Sequence, residues 1–149
     1  MFFYIFIIRE WKMNIDSIKN GYVIDHISAG QAMNIYEYLK LGDLDCQVAI
    51  IKNARSTKMG KKDIIKIDQK VKIDFGVLGY IDPNITINVI ENDKKVKKFH
   101  PELKEELINI VKCKNPRCIT SVERGLKHIC VLKDKNLAKY RCKYCDAEV

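Results

Sequence analysis

The sequence predicts an α+β fold in two parts: a mixed strand-and-helix domain over residues 13–102, then a small β-rich zinc-ribbon module over residues 103–149. Three observations predict it. Short β-branched blocks recur through the first hundred residues between turn-forming clusters. A strongly amphipathic helix signal interrupts them. The final segment carries four cysteines in two close pairs, the spacing of a structural metal site.

Residues 1–12, MFFYIFIIREWK, read as a leader foreign to that fold, with Met13 as the start. Arg9-Glu10 can be encoded AGG-GAG, a purine-rich ribosome-binding sequence just ahead of the Trp11 and Lys12 codons. The rival reading is an apolar anchor. It is weaker, because so short a run cannot span a bilayer and holds a membrane surface poorly. It also lacks the basic region and cleavage site of an export signal.

GYVIDHI (21–27) follows a turn and is rich in β-branched residues, so it is a strand. Ser28 with Gln31 three residues on is a capping-box signature, and Ala32, Met33, Tyr36 and Leu39 share a helical face. Residues 29–41 are therefore a helix, closed by Gly42. CQVAIIKNA (46–54) is the second strand, RSTKMGKK a polar loop, and KDIIKI (62–67) the third strand. Over 68–83, Val71, Ile73 and Phe75 alternate before Gly76, Gly79 and Asp82-Pro83-Asn84 break the pattern. A short strand followed by an irregular or one-turn helical segment is predicted there. ITINVIEN and KKVKKFH flank Asn92-Asp93, a natural hairpin turn. PELKEELIN predicts a short connecting helix opened by Pro101. The domain boundary falls near residues 100–106, and short strands with turns follow.

The formal charge of +8 favours anionic partners: nucleic acid, nucleotides or an acidic protein face. Six cysteines without an export signal point to metal binding in a reducing compartment, with the cytoplasm as default. Four of them are spaced Cys113-x4-Cys118-x23-Cys142-x2-Cys145. Each pair on a tight turn aims two sulfurs at one point, and the intervening chain returns to complete a tetrahedron. Four thiolates leave no open coordination position, so a single zinc ion there staples the fold and does not catalyse. A segment this short has little else to fold around. Cys46 and Cys130, in apolar surroundings, read as small core residues.

Lys112, Lys114, Arg117, Arg141 and Lys143 crowd the four thiols. A zinc ion with four thiolates is itself doubly negative, so these cations have a local role. With no aromatic platform beside them, they support nucleic-acid binding only weakly.

A second signal lies in KDIIKI. Period 2 places Lys62, Ile64 and Lys66 on one face and Asp63, Ile65 and Ile67 on the other. Cation, apolar, cation is how a surface for a nucleotide looks, with an apolar wall between phosphate-binding charges. Asn88 and Ile90 share a face, and KKVKK (94–98) adds cations. Asp25-His26 offers an acceptor and a titratable donor, and both reach one ligand only if their strand ends or bends there. On pattern alone a solvated sheet face is the more ordinary explanation of alternating lysines. KMGKK lacks the first glycine and the hydroxyl residue of a phosphate-binding loop. No nucleophile–base pair or convergent carboxylates appear, so no catalytic residue is predicted.

NGYVIDHISAGQAMNIYEYL, KMGKKDIIKI, NITINVIEN and the paired cysteines, in this order and spacing, closely resemble the regulatory chain of aspartate carbamoyltransferase, from about Ile15 to Val149. The resemblance implies a non-catalytic subunit of pyrimidine biosynthesis. Its N-terminal domain is then a ferredoxin-like sheet that pairs with a second regulatory chain and binds CTP, ATP and UTP as allosteric effectors. Its zinc domain docks on the catalytic chain within a dodecamer, with neither nucleic acid nor membrane as partner. By motif, the implied nucleotide site takes Asp25 and His26 from VIDHI, Lys62, Ile64 and Lys66 from KDIIK, and Asn88 and Ile90 from NITINVI. Lys98 follows the hairpin, and Ile15, Asp16, Ile18 and Val23 line the base. His26 and Lys98 fall to phosphate, Lys62 and Lys66 to ribose and phosphate, and Asp25 to ribose or base. Segment 68–83 is shorter and less helical than in the family's best-known members, and lysines replace apolar or aromatic residues around NDKKVKK. The competing class is a stand-alone zinc-ribbon protein that binds RNA or DNA.

Overall fold

A computed structural model describes residues 17–149. The suspected leader Met1–Lys12, the start at Met13, and the site candidates Ile15 and Asp16 lie outside the described residues.

The first sheet is built from β1 (Gly21–Ser28), β2 (Val48–Ser56), β3 (Gly60–Ile67), β4 (Thr86–Glu91) and β5 (Lys94–Phe99). Helix α1 (Ala32–Tyr38) connects β1 to β2, and α2 (Gly76–Ile81) connects β3 to β4. The strand order is β2-β3-β1-β4-β5, with every neighbouring pair antiparallel. Both helical connections thus skip over one strand, which is the split β-α-β, ferredoxin-like arrangement. The fifth strand extends it at the β4 edge.

Cross-strand register gives the sheet two chemically distinct faces. Ile50, Ile65, Ile24, Ile87 and Phe99 form one row, each beside its partner on the next strand. With Ile27, Ile67 and Ile85 they pack against Ala32 and Ile35 of α1 and Leu78 of α2. The next row, Ala49, Lys66, Val23, Asn88 and Lys98, lies on the face without helices. The alternation read in KDIIKI holds: Asp63, Ile65 and Ile67 are buried, while Lys62, Ile64 and Lys66 are half-buried.

Helix α1 is shorter than the predicted 29–41. The chain passes at Lys40, in a left-handed conformation, into a single 3-10 turn at Leu41–Asp43, so Gly42 is not its cap. Nor does Ser28 cap it. Residue 31 takes the N-cap position, and the Ser28 hydroxyl donates to Asp82 Oδ2 at 2.6 Å. The buried stripe turns about one residue from that predicted, onto Ala32 and Ile35, leaving Met33 46% exposed. Val71, Ile73 and Phe75 do alternate toward the core but pair with no strand. Alternating burial can arise from an extended chain lying over a core without a hydrogen-bonded ladder. The turn at Asn92-Asp93 is confirmed: both residues have positive φ, 49° and 63°, as a two-residue hairpin of the primed type requires.

PELKEELIN is not helical. It runs as an extended connector into β6 (Glu106–Ile108). With β7 (Ile129–Asp134) and β8 (Lys139–Cys142), β6 forms a second antiparallel sheet in the order β6-β7-β8, and a single turn of helix, α3 (Ile119–Val122), follows Cys118. The small core here is Leu107, Cys130 and Tyr140, and Tyr80 of α2 packs against it.

Both strands that flank β3 bulge beside Asp63. One extra residue is accommodated in β1 between Ile24 and Ile27, and one in β2 between Ile51 and Ala54. His26 and Asn53 there have φ of 57° and 56°. Fully buried Asp63 accepts the N–H of Asn53 (2.9 Å), Gly30 (2.9 Å) and Ala32 (3.3 Å). Removing this carboxylate leaves three backbone donors without their acceptor. The Asp63→Ala chain is expected to lose on the order of 3 kcal/mol of stability, measurable as an earlier urea transition in circular dichroism with the thiol site metal-loaded.

Candidate functional site

Two sites emerge, one on the open face of the first sheet and one at the end of the second. The β1 bulge creates the first. Ile24 and Ile27 both face the core, so the two intervening side chains, Asp25 and His26, are on the outer side together. That is the bend the sequence required for Asp25 and His26 of VIDHI to share a face. Asp25 Oδ1 lies 2.8 Å from Lys62 Nζ, and Asp25 Oδ2 lies 3.8 Å from His26 Nδ1. The row Lys66, Val23, Asn88 and Lys98 adjoins this group. Ile64 stands between Lys62 and Lys66 on β3, and Ile90 is two residues beyond Asn88, opposite Gly21.

The electrostatics are those of a site for anions. Burial pushes the Asp25 carboxyl up, but the Lys62 ammonium and the His26 N–H outweigh it and hold the group below the usual carboxylate range. Burial also lowers the His26 imidazole pKa. Asp25 opposes that shift, while the charges of Lys62, Lys98 and Lys58 reinforce it. His26 Nδ1 and Asn88 Oδ1 are the two buried side-chain polar atoms without a hydrogen-bond partner among the described residues. Asn88 is only 6% exposed. Buried polar atoms are almost always paired, so two orphans among cations make this face a candidate ligand site.

At the β2 side of this face a cleft of about 360 Å³ is lined by Ser17, Ile18, Gln47, Val48, Ala49, Lys66 and Asp68. Its N-terminal wall is held from two directions. Lys19 N–H donates to Asp68 Oδ1 at 3.2 Å, and the hairpin N–H groups of Asn92 and Asp93 donate to Asn20 Oδ1 and the Lys19 carbonyl. Sequence reasoning reached Ile18 and Lys66 but missed Ala49, Val48, Gln47 and Lys58. Alternation along β2 could have marked Ala49. Lys58 is in the β2–β3 turn, and only the pairing of β3 with β1 brings that turn toward His26.

The second site gathers Cys113, Cys118, Cys142 and Cys145, whose sulfurs all lie within 4.8 Å of one another. The Cys113–Cys145 and Cys118–Cys142 sulfurs are 3.5 and 3.7 Å apart, and all six cysteines are free. A tetrahedral zinc ion with bonds of about 2.3 Å sets its sulfurs about 3.8 Å apart, so the cluster fits such an ion. Each knuckle is built from local bonds: Cys118 N–H donates to Asn115 O, and Asp146 N–H to Cys142 O. Thr120 Oγ1 lies 3.1 Å from the Cys118 sulfur and lowers that thiol's pKa. The Ala147 N–H draws Cys145 down to about 6, whereas burial beside the other sulfurs pushes Cys113 up to about 12. Cys130 is buried in the small core, and Cys46 is half-buried against the large one.

Of the basic residues around the thiols, Lys143 pairs with Glu106 at 3.1 Å and Arg141 with Asp146 at 3.4 Å. Among the described residues no helix is long and apolar enough to cross a membrane.

The family model described as aspartate carbamoyltransferase regulatory chain, allosteric domain, matches residues 13–102, and that of the metal binding domain of the same chain matches 105–149. An aspartate carbamoyltransferase regulatory chain of Clostridium botulinum is 54% identical over 134 residues, covering 90% of this chain and 92% of the relative. That of Clostridium tetani is 51% identical over 135 residues, covering 90% and 94%. That of Bifidobacterium longum is 41% identical over 136 residues, covering 91% and 98%.

A thiol held near 12 keeps its proton at neutral pH, and a divalent cation must displace it. Zinc titration of the metal-free chain is therefore expected to release protons. The apparent affinity should rise about tenfold per pH unit for each proton displaced, so acid pH loosens the ion. Competition with a chromophoric chelator at several pH values measures this slope.

Proposed function

The chain belongs to the family of aspartate carbamoyltransferase regulatory chains, and we propose that it binds nucleoside triphosphates on the open face of its first sheet and relays their binding to a catalytic chain. A regulatory chain is the non-catalytic subunit, carrying an allosteric domain and a metal-binding domain. CTP, ATP and UTP are the effectors this reading assigns to the chain. The observation that carries this reading is the pair of orphaned atoms, His26 Nδ1 and Asn88 Oδ1, set among Lys62, Lys66 and Lys98.

In this reading His26 and Lys98 meet phosphate oxygens, Lys62 and Lys66 meet ribose and phosphate, and Asp25 accepts from ribose or base. The cleft beside Ile18, Val48 and Ala49 takes the base, with Val23, Ile64 and Ile90 as apolar wall and Ile15 and Asp16 completing it. One zinc ion bound by the four cysteines supplies structural cross-linking and no open coordination position. Residues 103–149 then form the docking module for the catalytic chain, and residues 13–102 pair with a second regulatory chain, within a dodecamer in the cytoplasm. The pairing of Lys143 and Arg141 with carboxylates supports a local role for the basic flanks and speaks against nucleic acid as partner.

Two measurements test the site. In holoenzyme assembled with the catalytic chain, Lys66→Ala with Lys98→Ala is expected to abolish the response to CTP and ATP while leaving assembly intact. Unchanged CTP inhibition contradicts the assignment.

The second concerns His26. Its lowered pKa leaves the free imidazole neutral at pH 7, and a polyphosphate beside it raises that pKa again. Binding then takes up a proton, so affinity should increase as pH falls from about 8 toward 6. Calorimetry in buffers of different ionisation enthalpy reads the proton uptake, and His26→Gln should remove it.

A further inference from the structure

Asp82, 4% exposed between α2 and β4, belongs to neither site. Its Oδ2 accepts both from the Ser28 N–H at 2.8 Å and from the Ser28 hydroxyl at 2.6 Å. Its Oδ1 accepts from Asn84 N–H at 2.9 Å, and its own N–H closes α2 by donating to the Leu78 carbonyl at 2.9 Å. One carboxylate therefore ties the last residue of β1 to the C-terminal end of α2.

Each end of that tie leads to one of the two sites. Ser28 follows His26 by two residues and pairs across the sheet with Lys62, whose ammonium bonds Asp25. Helix α2 carries Tyr80, whose ring meets Tyr140 edge-on at a centroid distance of 5.2 Å. Tyr140 is 1% exposed, donates its hydroxyl to the Lys104 carbonyl at 2.6 Å, and lies two residues before Cys142 on β8. At Gly79 an added Cβ would come within 2.9 Å of the Pro101 carbonyl, so the connector is seated directly on α2. Lys104 also pairs with Asp74, just ahead of the helix. Helix α2 is thus packed against the second sheet and bonded, through Asp82, to the end of the strand that bears His26.

We infer that Asp82 is a positioning residue for the allosteric response, carrying movement of the β1 end on nucleotide binding into α2 and so to the metal-binding sheet. This rests on the nucleotide reading above. Hydrogen bonds to a buried carboxylate are stronger than neutral ones, and two of them join Ser28 to Asp82, so the end of β1 and α2 are held together. A ligand that favours one position of β1 then favours one position of α2, which is the differential affinity that coupling requires.

The test uses holoenzyme with CTP as probe. Asp82→Asn keeps the size of the side chain but offers a single acceptor atom and no charge. CTP binding by equilibrium dialysis should stay within about twofold of the unaltered holoenzyme, while the CTP-induced shift in half-saturating aspartate shrinks at least about threefold. Ser28→Ala, which removes only the hydroxyl bond, should give a smaller loss in the same direction. An undiminished CTP effect in Asp82→Asn overturns the inference. So does a parallel loss of CTP binding, which would make Asp82 part of the scaffold of the nucleotide face. If the Asp82 variant does not assemble, Ser28→Ala decides, and a full-sized effect there overturns the inference. Failure of the nucleotide reading itself is seen separately, as absent CTP binding by the unaltered holoenzyme.

Discussion

Asp63 is a fully buried carboxylate at the point where both neighbours of β3 bulge, and the open face of the sheet owes its chemistry to that junction. An uninterrupted β1 would send Asp25 outward and His26 into the isoleucine core, where an imidazole has no partner. The extra residue lets Ile24 and Ile27 both stay inside, with the acid and the imidazole outside together. A break in a ladder leaves a backbone donor behind, and Asp63 accepts that of Asn53 in the β2 bulge together with the N–H groups of Gly30 and Ala32, where the chain turns into α1. The residue flanked by Lys62 and Ile64 in the motif thus does its work on the opposite face from theirs.

Charge on the open face is held in a deliberate imbalance. Lys62 has Asp25 as its partner, while Lys66 and Lys98 form no ion pair with a carboxylate among the described residues. Lys66 is half-buried and Lys98 exposed, and cations without a carboxylate partner raise the positive potential of that face. The second sheet is arranged the other way. Its four thiols, once ionised, need a divalent cation, and two neighbouring cations already pair with Glu106 and Asp146. The open face thus keeps two lysines without a carboxylate partner among the described residues, whereas Arg141 and Lys143 beside the thiols are paired.

The two sheets meet through aromatic packing at α2, beside the ion pair of Lys104 with Asp74. Tyr80 and Tyr140 bury their rings against each other, with the Tyr140 hydroxyl satisfied by a backbone carbonyl. A close-packed contact of this kind admits few alternative packings. Helix α2 is short, closed by Asp82 and lined by glycines at the connector, so little slack separates β1 from β8.

Much of this was legible in the residues themselves. Period-2 patterning separated Lys62, Ile64 and Lys66 from Asp63, Ile65 and Ile67, because burial of one sheet face imposes that alternation directly on the chain. The Asn92-Asp93 hairpin was readable because few residue pairs tolerate two successive positive φ values. The cysteine spacing predicted a tetrahedral cluster because knuckle geometry is local. Tertiary structure alone decided the rest. The Ser28 hydroxyl faced a choice between capping α1 and bonding Asp82, 54 residues away, and no local pattern encodes a buried carboxylate arriving from another element. Val71, Ile73 and Phe75 alternate like a strand, yet with no edge offered to them they only line the core. PELKEELIN has helical composition, but β7 supplied ladder partners that drew part of it into a sheet. In the hairpin and the cysteine knuckles, where the deciding geometry is local, the sequence was sufficient. Where the partner came from across the fold, hydrogen bonding and burial overrode local propensity.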